Sequence, residues 1–305
     1  MEIEEVFTRF RAIKHGIKSK KKATSIHYGE HKSGFKGSGY DIVGVDQWRS
    51  GQPLKDIAWS LSLRTFPKKI FKIERMEPKE FRTILVVDLS YSTLFQISNE
   101  SNKALLLLDL LGNIGLTRAN VRDPVGLLAF SDQIEIYLRP RHGTSQIFYM
   151  VHQIFEKLKL EREFPTKRRA DFSLAFKFLA TRLKTRHSII LISDCVDMVN
   201  DQESIDFKTL RMLSSKHDMI TLMLDDPEEF RVKSRLGYIR ISNMETGKQT
   251  TISARKGGAI RRKIIESREA LQLKLKHKSG IDSVVVTPEN HDETLTKFLI
   301  SRTGT

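Results

Sequence analysis

In the stretch FRTILVVDLSYSTLF, residues 81–95, an apolar run breaks at Asp88, and hydroxyl side chains follow at Ser90 and Ser92. An aspartate leaving the end of a buried strand, with hydroxyls two and four residues on, can turn three oxygens toward one point. A hard divalent cation such as Mg²⁺ takes near-octahedral oxygen ligation and uses only one or two carboxylates beside its waters. Asp194 ends a second apolar run, SIILISD, and is a further oxygen donor of the same kind. These residues therefore suit cation binding.

Catalytic patterns do not assemble elsewhere. Haloacid-dehalogenase phosphotransferases also place an aspartate after a first strand, but they need a second acidic group at i+2, where this chain has Ser90. His27 and His31 stand at i, i+4, yet Gly29 lies between them and Glu30 is displaced from the H-E-x-x-H position, so a helical zinc site is not expected. The segment GFKGSG matches neither the G-x-x-x-x-G-K-[ST] nor the G-x-G-x-x-G phosphate cradle. Cys195 has no histidine that the sequence pairs with it, and a buried inert thiol is expected. A non-enzymatic chain is the reading that remains.

The elements that must position Asp88 and Asp194 follow from periodicity. From Phe81 onward apolar strand-like runs alternate with helical patterns: TILVVDL, NKALLLLDLLGNIGLTRA, DPVGLLAFSD, IEIYLRP, SQIFYMVHQIFEKL, DFSLAFKFLATRL, HSIILISD, FKTLRMLSSKH and DMITLMLDD. Such alternation predicts an α/β fold with a mostly parallel, doubly wound sheet covered on both faces. The short turn between DPVGLLAFSD and IEIYLRP predicts one antiparallel edge strand. YIRISN and KQTTIS predict a hairpin, a long basic helix follows, and DSVVVTP predicts a closing edge strand before a last helix. The expected divisions are an N-terminal segment of strands and loops over 1–80, a main domain over 81–228, a hairpin and basic helix over 229–279, and closing elements over 280–305. Trp48 and Trp59 are expected to pack the first segment onto the sheet. Open α/β sheets bind ligands outside the carboxyl ends of their strands, where strand order reverses, and this places Asp88 and Asp194 at one edge.

Composition sets the wider limits. A chain of 305 residues, 39% hydrophobic, can bury one large core with a satellite. One cysteine excludes an internal disulfide, the start MEIEEVFTRF is acidic, and no apolar run reaches the ~20 residues that cross a bilayer, so a cytoplasmic location is expected. The net charge of +15, with a pI near 9.8, admits an acidic protein, a nucleic acid or an anionic membrane as partner. Two basic stretches, residues 11–36 and 254–280, are the places where a nucleic acid would bind. Steep salt dependence of binding to random strands would mark that alternative.

The D-x-S-x-S pattern at a strand end, followed by a helix, resembles the metal-ion-dependent adhesion site of von Willebrand factor A domains. Upstream, Gly34, Gly37, Gly39, Trp48, Gly51, Ile57, Trp59 and Arg64 stand where the domain-of-unknown-function 58 family carries its glycines, aromatics and R-x-I-D-W-like segment, and METGKQ and SGIDSVVV resemble that family's closing segments. The resemblance covers nearly the whole chain. It implies a von Willebrand factor A-like domain in which Asp88, Ser90, Ser92 and Asp194 hold Mg²⁺, with Tyr91, Arg168 and Arg169 at the rim facing a partner. It also implies an adaptor or co-chaperone role beside a MoxR-type AAA+ ATPase, a partner carboxylate filling the open coordination position. The chain departs from the pattern in several places. GQP replaces GDD, Ala58 stands in the I-D-W position of the aspartate, Tyr91 replaces a glycine, and Ala170 replaces the threonine that normally ligates. Asp171 then either takes over as ligand, directly or through water, or Arg168 and Arg169 neutralise the pocket with no metal.

Overall fold

The structure, a computed structural model, describes residues 3–10, 31–37, 41–65, 69–79, 81–94, 103–166, 168–200, 206–227, 238–242, 249–253 and 257–303. His27, the basic stretch up to residue 30 and the start of the second basic stretch lie outside these residues. The chain forms two compact units, Lys21–Phe81 on one side and Met1–Lys20 with Arg82–Thr305 on the other.

Helix α1 (Ile3–Thr8) opens the chain. The sequence reading groups it with the next seventy residues, but its fully buried Val6 joins the core of the larger unit, with Phe7 and Phe10 packed against that core. The smaller unit is an antiparallel sheet of β1 (His31–Gly37), β2 (Asp41–Gln47) and β3 (Phe71–Lys79), with β3 in the middle. Between β2 and β3 a 3-10 turn leads into the short helix α2 (Trp59–Ser62). Ser62 fixes that turn: its hydroxyl donates to the Ala58 carbonyl at 2.9 Å and accepts from the Phe71 amide at 2.8 Å. Trp59 begins α2. Its side chain is 58% exposed, while the smaller Ile57 and Ala58 beside it are buried. The Trp48 indole donates to the Gln52 carbonyl at 3.3 Å, a bond within its own turn.

The larger unit starts with β4 (Thr83–Asp88), the one-turn helix α3 (Tyr91–Leu94) and α4 (Lys103–Asn120). There follow β5 (Val125–Phe130), β6 (Ile134–Arg141), α5 (Thr144–Glu163), α6 (Phe172–Arg182), β7 (Ser188–Ser193), α7 (Val196–Asn200), α8 (Phe207–Lys216) and β8 (Asp218–Leu224). A two-stranded hairpin of β9 (Tyr238–Ser242) and β10 (Gln249–Ser253) precedes α9 (Gly257–Ser279), β11 (Asp282–Val286) and α10 (His291–Thr303). Six strands form one sheet in the order β11-β8-β7-β4-β5-β6, parallel throughout except for β6. The fold is thus mixed α/β, a mostly parallel sheet with one antiparallel edge strand, beside a small antiparallel sheet.

Alternation along β4 divides the core. Leu85 and Val87 pack with Leu106 and Leu110 of α4 and with Ile147 and Val151 of α5, while Ile84 and Val86 pack with Phe176 of α6, Leu213 of α8 and Leu271 of α9. Every residue of β4, β5, β7 and β8 is buried, as strands covered on both faces must be. Helix α9 packs on α8 and β11, so this part of the 229–279 stretch belongs to a layer of the main sheet. At the amino edge of the sheet, buried ion pairs tie helices to strand starts. Arg118 meets Asp123 at 3.1 Å, and Arg302 meets Asp218 at 2.8 Å and Asp282 at 3.0 Å.

The antiparallel edge depends on a close approach at Gly126. A Cβ there would lie 2.6 Å from the Leu138 carbonyl oxygen and 2.8 Å from the Pro140 nitrogen, both main-chain atoms that cannot swing away. Gly126→Ala should therefore cost about 1–3 kcal/mol of stability by overpacking. Urea unfolding of the full chain should show a lower midpoint at unchanged slope, and an unchanged midpoint would contradict this account of the edge.

Candidate functional site

The chain winds one way from β4 through β5 to β6 and then the other way through β7, β8 and β11, so strand order reverses between β4 and β7. The carboxyl ends of those two strands meet in the crevice where open α/β sheets place their ligands. Asp88 ends β4 and Asp194 follows β7; each is 1% exposed.

A chain of hydroxyls joins the two carboxylates. Asp88 accepts from Ser193 Oγ at 2.6 Å and Thr93 Oγ1 at 3.2 Å on one oxygen, and from the Ser90 amide at 2.7 Å on the other. Ser90 Oγ lies 3.3 Å from Ser92 Oγ and donates to Thr93 Oγ1 at 3.3 Å. Ser92 Oγ donates to Asp194 Oδ1 at 3.3 Å. Local geometry holds the frame. The Ser90 amide returning to Asp88 is an aspartate turn that bends the chain off the strand. After β7, Cys195 adopts φ 57°, a left-handed conformation uncommon for a residue with a Cβ. Its amide donates to Ser193 Oγ at 2.8 Å and the Val196 amide donates to Asp194 Oδ1 at 3.1 Å, so the turn is fixed by the site's own side chains.

Burying two carboxylates side by side is costly. Desolvation, and then the charge of Asp194, push the Asp88 carboxyl up to about 6 against the pull of its bonds from Ser193 and Ser90. The Cys195 thiol is pushed up by burial and then by Asp194, which keeps it protonated and unreactive. One cation enters the pocket. Lys103, 2% exposed at the start of α4, places Nζ 3.3 Å from Asp194 Oδ2 and 3.4 Å from the Ser92 carbonyl oxygen.

The rim is built from the segment before α6. The Arg168 carbonyl accepts from the Tyr91 amide at 2.9 Å. The Arg168 guanidinium and Lys157 both pair with Glu135. Against the desolvation that raises it, bonds from Lys157, Gln133 and Ser131 hold the Glu135 carboxyl below the usual range. Arg169 pairs with Asp197 at 3.3 Å, and the Ala170 amide donates to the same carboxylate at 2.7 Å.

Of the residues singled out in the sequence, Asp88, Ser90, Ser92 and Asp194 come together, and Tyr91, Arg168 and Arg169 stand at the rim. Asp171 does not join them. It is exposed, and its carboxylate accepts from the Leu174 amide at 2.9 Å as the N-cap of α6. Ser193, Thr93, Lys103 and Asp197 belong to the site without having been read from sequence. Thr93, five residues beyond Asp88, and Asp197, three beyond Asp194, carried local signals.

The oxygens present fit a divalent cation in kind and spacing. Octahedral Mg²⁺ with ligands at 2.0–2.1 Å sets adjacent oxygens about 3 Å apart. The Ser90–Ser92 and Ser92–Asp194 separations, both 3.3 Å, are closer to that than to a hydroxyl hydrogen bond of about 2.7 Å. The third loop offers Ala170 and no oxygen, so the set is two carboxylates and two hydroxyls. Among the described residues no three His, Cys, Asp or Glu side chains group as metal ligands.

The chain belongs to the family described as protein of unknown function DUF58, which it matches over residues 45–272. No curated protein matches it. Solved structures similar to it include the conserved hypothetical protein BatB from Bacteroides thetaiotaomicron, 12% identical, with 74% of this chain and 100% of that one covered and a TM-score of 0.41. An aerotolerance-related membrane protein from Bacteroides fragilis NCTC 9343, carrying multiple mutations to serines, is 13% identical over 72% of this chain and 99% of its own, at 0.43. An uncharacterized membrane spanning protein from Vibrio fischeri is 15% identical over 73% and 98%, at 0.22. Two of the three are named as membrane proteins, contrary to the cytoplasmic location expected from the sequence. No helix among the described residues is long and apolar enough to cross a membrane.

The raised Asp88 carboxyl has a definite pH signature. The folded state holds this proton up to about pH 6, whereas an unfolded aspartate releases it near 3.8. The contribution of Asp88 to folding stability therefore falls as pH rises from about 4 to about 6 and stays reduced above that range. Asp88→Asn keeps the side-chain shape and removes the charge. Thermal melts in chelator should show a smaller loss of melting temperature between pH 4 and pH 7 for Asp88→Asn than for wild type. Equal losses would mean that Asp88 ionises at its ordinary value.

Proposed function

We propose that this chain is a non-enzymatic protein-binding adaptor with a von Willebrand factor A-like main domain, which engages a MoxR-type AAA+ ATPase through the carboxyl edge of its six-stranded sheet. The observation that carries the reading is the convergence of Asp88, Ser90, Ser92 and Asp194 in one buried pocket at the strand-order reversal. These four residues would hold Mg²⁺, which when bound supplies an electrophilic position for a partner carboxylate. The chain's own groups do the rest. Asp88 and Asp194 set the pocket's negative charge, the hydroxyls fix the spacing between them, and the rim presents Tyr91 and the half-exposed Arg169 to the partner. An acidic partner surface also suits a chain of net charge +15, since opposite fields raise encounter rates. Cys195 offers no nucleophile, because its thiol is buried and held protonated.

The test is capture of the cognate MoxR-type ATPase by full-length variants in millimolar Mg²⁺. Asp88→Ala should lose about tenfold or more in capture, a loss typical of removing a central interface determinant. Asp171→Ala removes only a helix cap, so it should lower stability by about 1 kcal/mol and leave capture unchanged. Undiminished capture by Asp88→Ala would remove this edge as the binding surface.

A further inference from the structure

We infer that Lys103 is the pocket's resident counter-ion: its ammonium occupies the cation's place at Asp194, holds the site together without metal, and must be displaced for a divalent ion to bind. The inference rests on the reading of this pocket as a cation site. Three independent features single Lys103 out. Lysine is rarely buried fully, yet Lys103 is 2% exposed. It is the first residue of the eighteen-residue helix α4, where the helix dipole disfavours a positive charge. Its ammonium nevertheless points into the pocket, onto Asp194 Oδ2 at 3.3 Å and the Ser92 carbonyl at 3.4 Å. Burial and the dipole both act against that placement, and the Asp194 carboxylate is among the partners that offset them.

Charge balance sets the consequence. Among the described residues, Lys103 offsets one of the two carboxylates, Asp88 and Asp194, and leaves one net negative charge. Adding a divalent ion would turn that into one buried positive charge, whereas the ion with Lys103 withdrawn gives neutrality. Arrival of the ion and retention of the ammonium at Asp194 therefore oppose each other. The same chain lacks a third-loop oxygen at Ala170, so the ammonium faces a weakened competitor.

Mn²⁺, read by its electron paramagnetic resonance signal, serves as the probe on the full chain. Lys103→Met should bind Mn²⁺ about tenfold or more tightly than wild type, the scale on which groups around a metal tune its affinity. Lys103→Arg keeps the charge and should stay as weak as wild type. Adding Asp88→Asn to Lys103→Met should erase the gain. In chelator Lys103→Met should melt below wild type, and millimolar Mg²⁺ should raise its melting temperature by more than it raises that of wild type. If Lys103→Met does not fold, Lys103→Gln, which retains a donor toward Ser92 and loses the charge, is read in the same way. Equal Mn²⁺ affinity in wild type and the uncharged variants, including no binding in either, overturns the inference, as does an equal gain in Lys103→Arg. Capture of the ATPase by Asp88→Ala is read without reference to Mn²⁺, so the adaptor reading stands or falls separately.

Discussion

Two carboxylates buried side by side need positive charge or protons to offset them, and the carboxyl edge of this sheet is arranged around that need. Asp88 and Asp194 end neighbouring parallel strands, where the backbone alone brings them close. The molecule meets the cost in three ways: the Asp88 carboxyl is raised to about 6, hydroxyls and amides donate to both residues, and a lysine reaches in from a helix start. The donors come from three separate parts of the chain. Ser90, Ser92 and Thr93 follow β4, Ser193 ends β7, and Lys103 begins α4, so the site keeps its form only while those loops stay in register with one another.

That register is inherited from the sheet. The reversal of strand order puts β4 and β7 together, and their parallel pairing runs from Thr83 opposite Ser188 to Val87 opposite Ile192. The next residue on each strand is then Asp88 and Ser193, the pair joined by the shortest bond of the site, 2.6 Å. A one-residue slip would exchange the faces of every strand side chain and break that bond together with the core. The same β4 residues serve both ends of the argument. Leu85 and Val87 anchor one helical layer, Ile84 and Val86 the other, and the charge at Asp88 sits where the apolar run stops. Stability and site are thus parts of one strand.

Much of this was legible in the sequence because fully buried parallel strands read as unbroken apolar runs. TILVVD, VGLLAF, SIILIS and DMITLML are such runs, and each is a strand. The hydroxyls after Asp88 lie within one turn of it, so their convergence followed from local spacing. Lys103 and Ser193 could not be read in this way. Their partners lie 91 and 105 residues distant, and nothing local marks a lysine before an apolar helix as buried. Asp171 differs for the opposite reason: an aspartate preceding FSLAF is a strong helix cap, and the cap takes the carboxylate that one of the two readings gives to the pocket. Trp59 shows that aromatic content alone does not locate packing, since its smaller neighbours carry the burial.

The account's central claim is that a cation belongs between Asp88 and Asp194. Crystals of the Lys103→Met chain soaked in manganese would test it by anomalous scattering. One strong peak is predicted within about 2.3 Å of oxygens from Asp88, Ser90, Ser92 and Asp194, close to ordinary hard-cation distances. A map with no peak in the pocket, in crystals where Asp88 and Asp194 keep their positions, would contradict it.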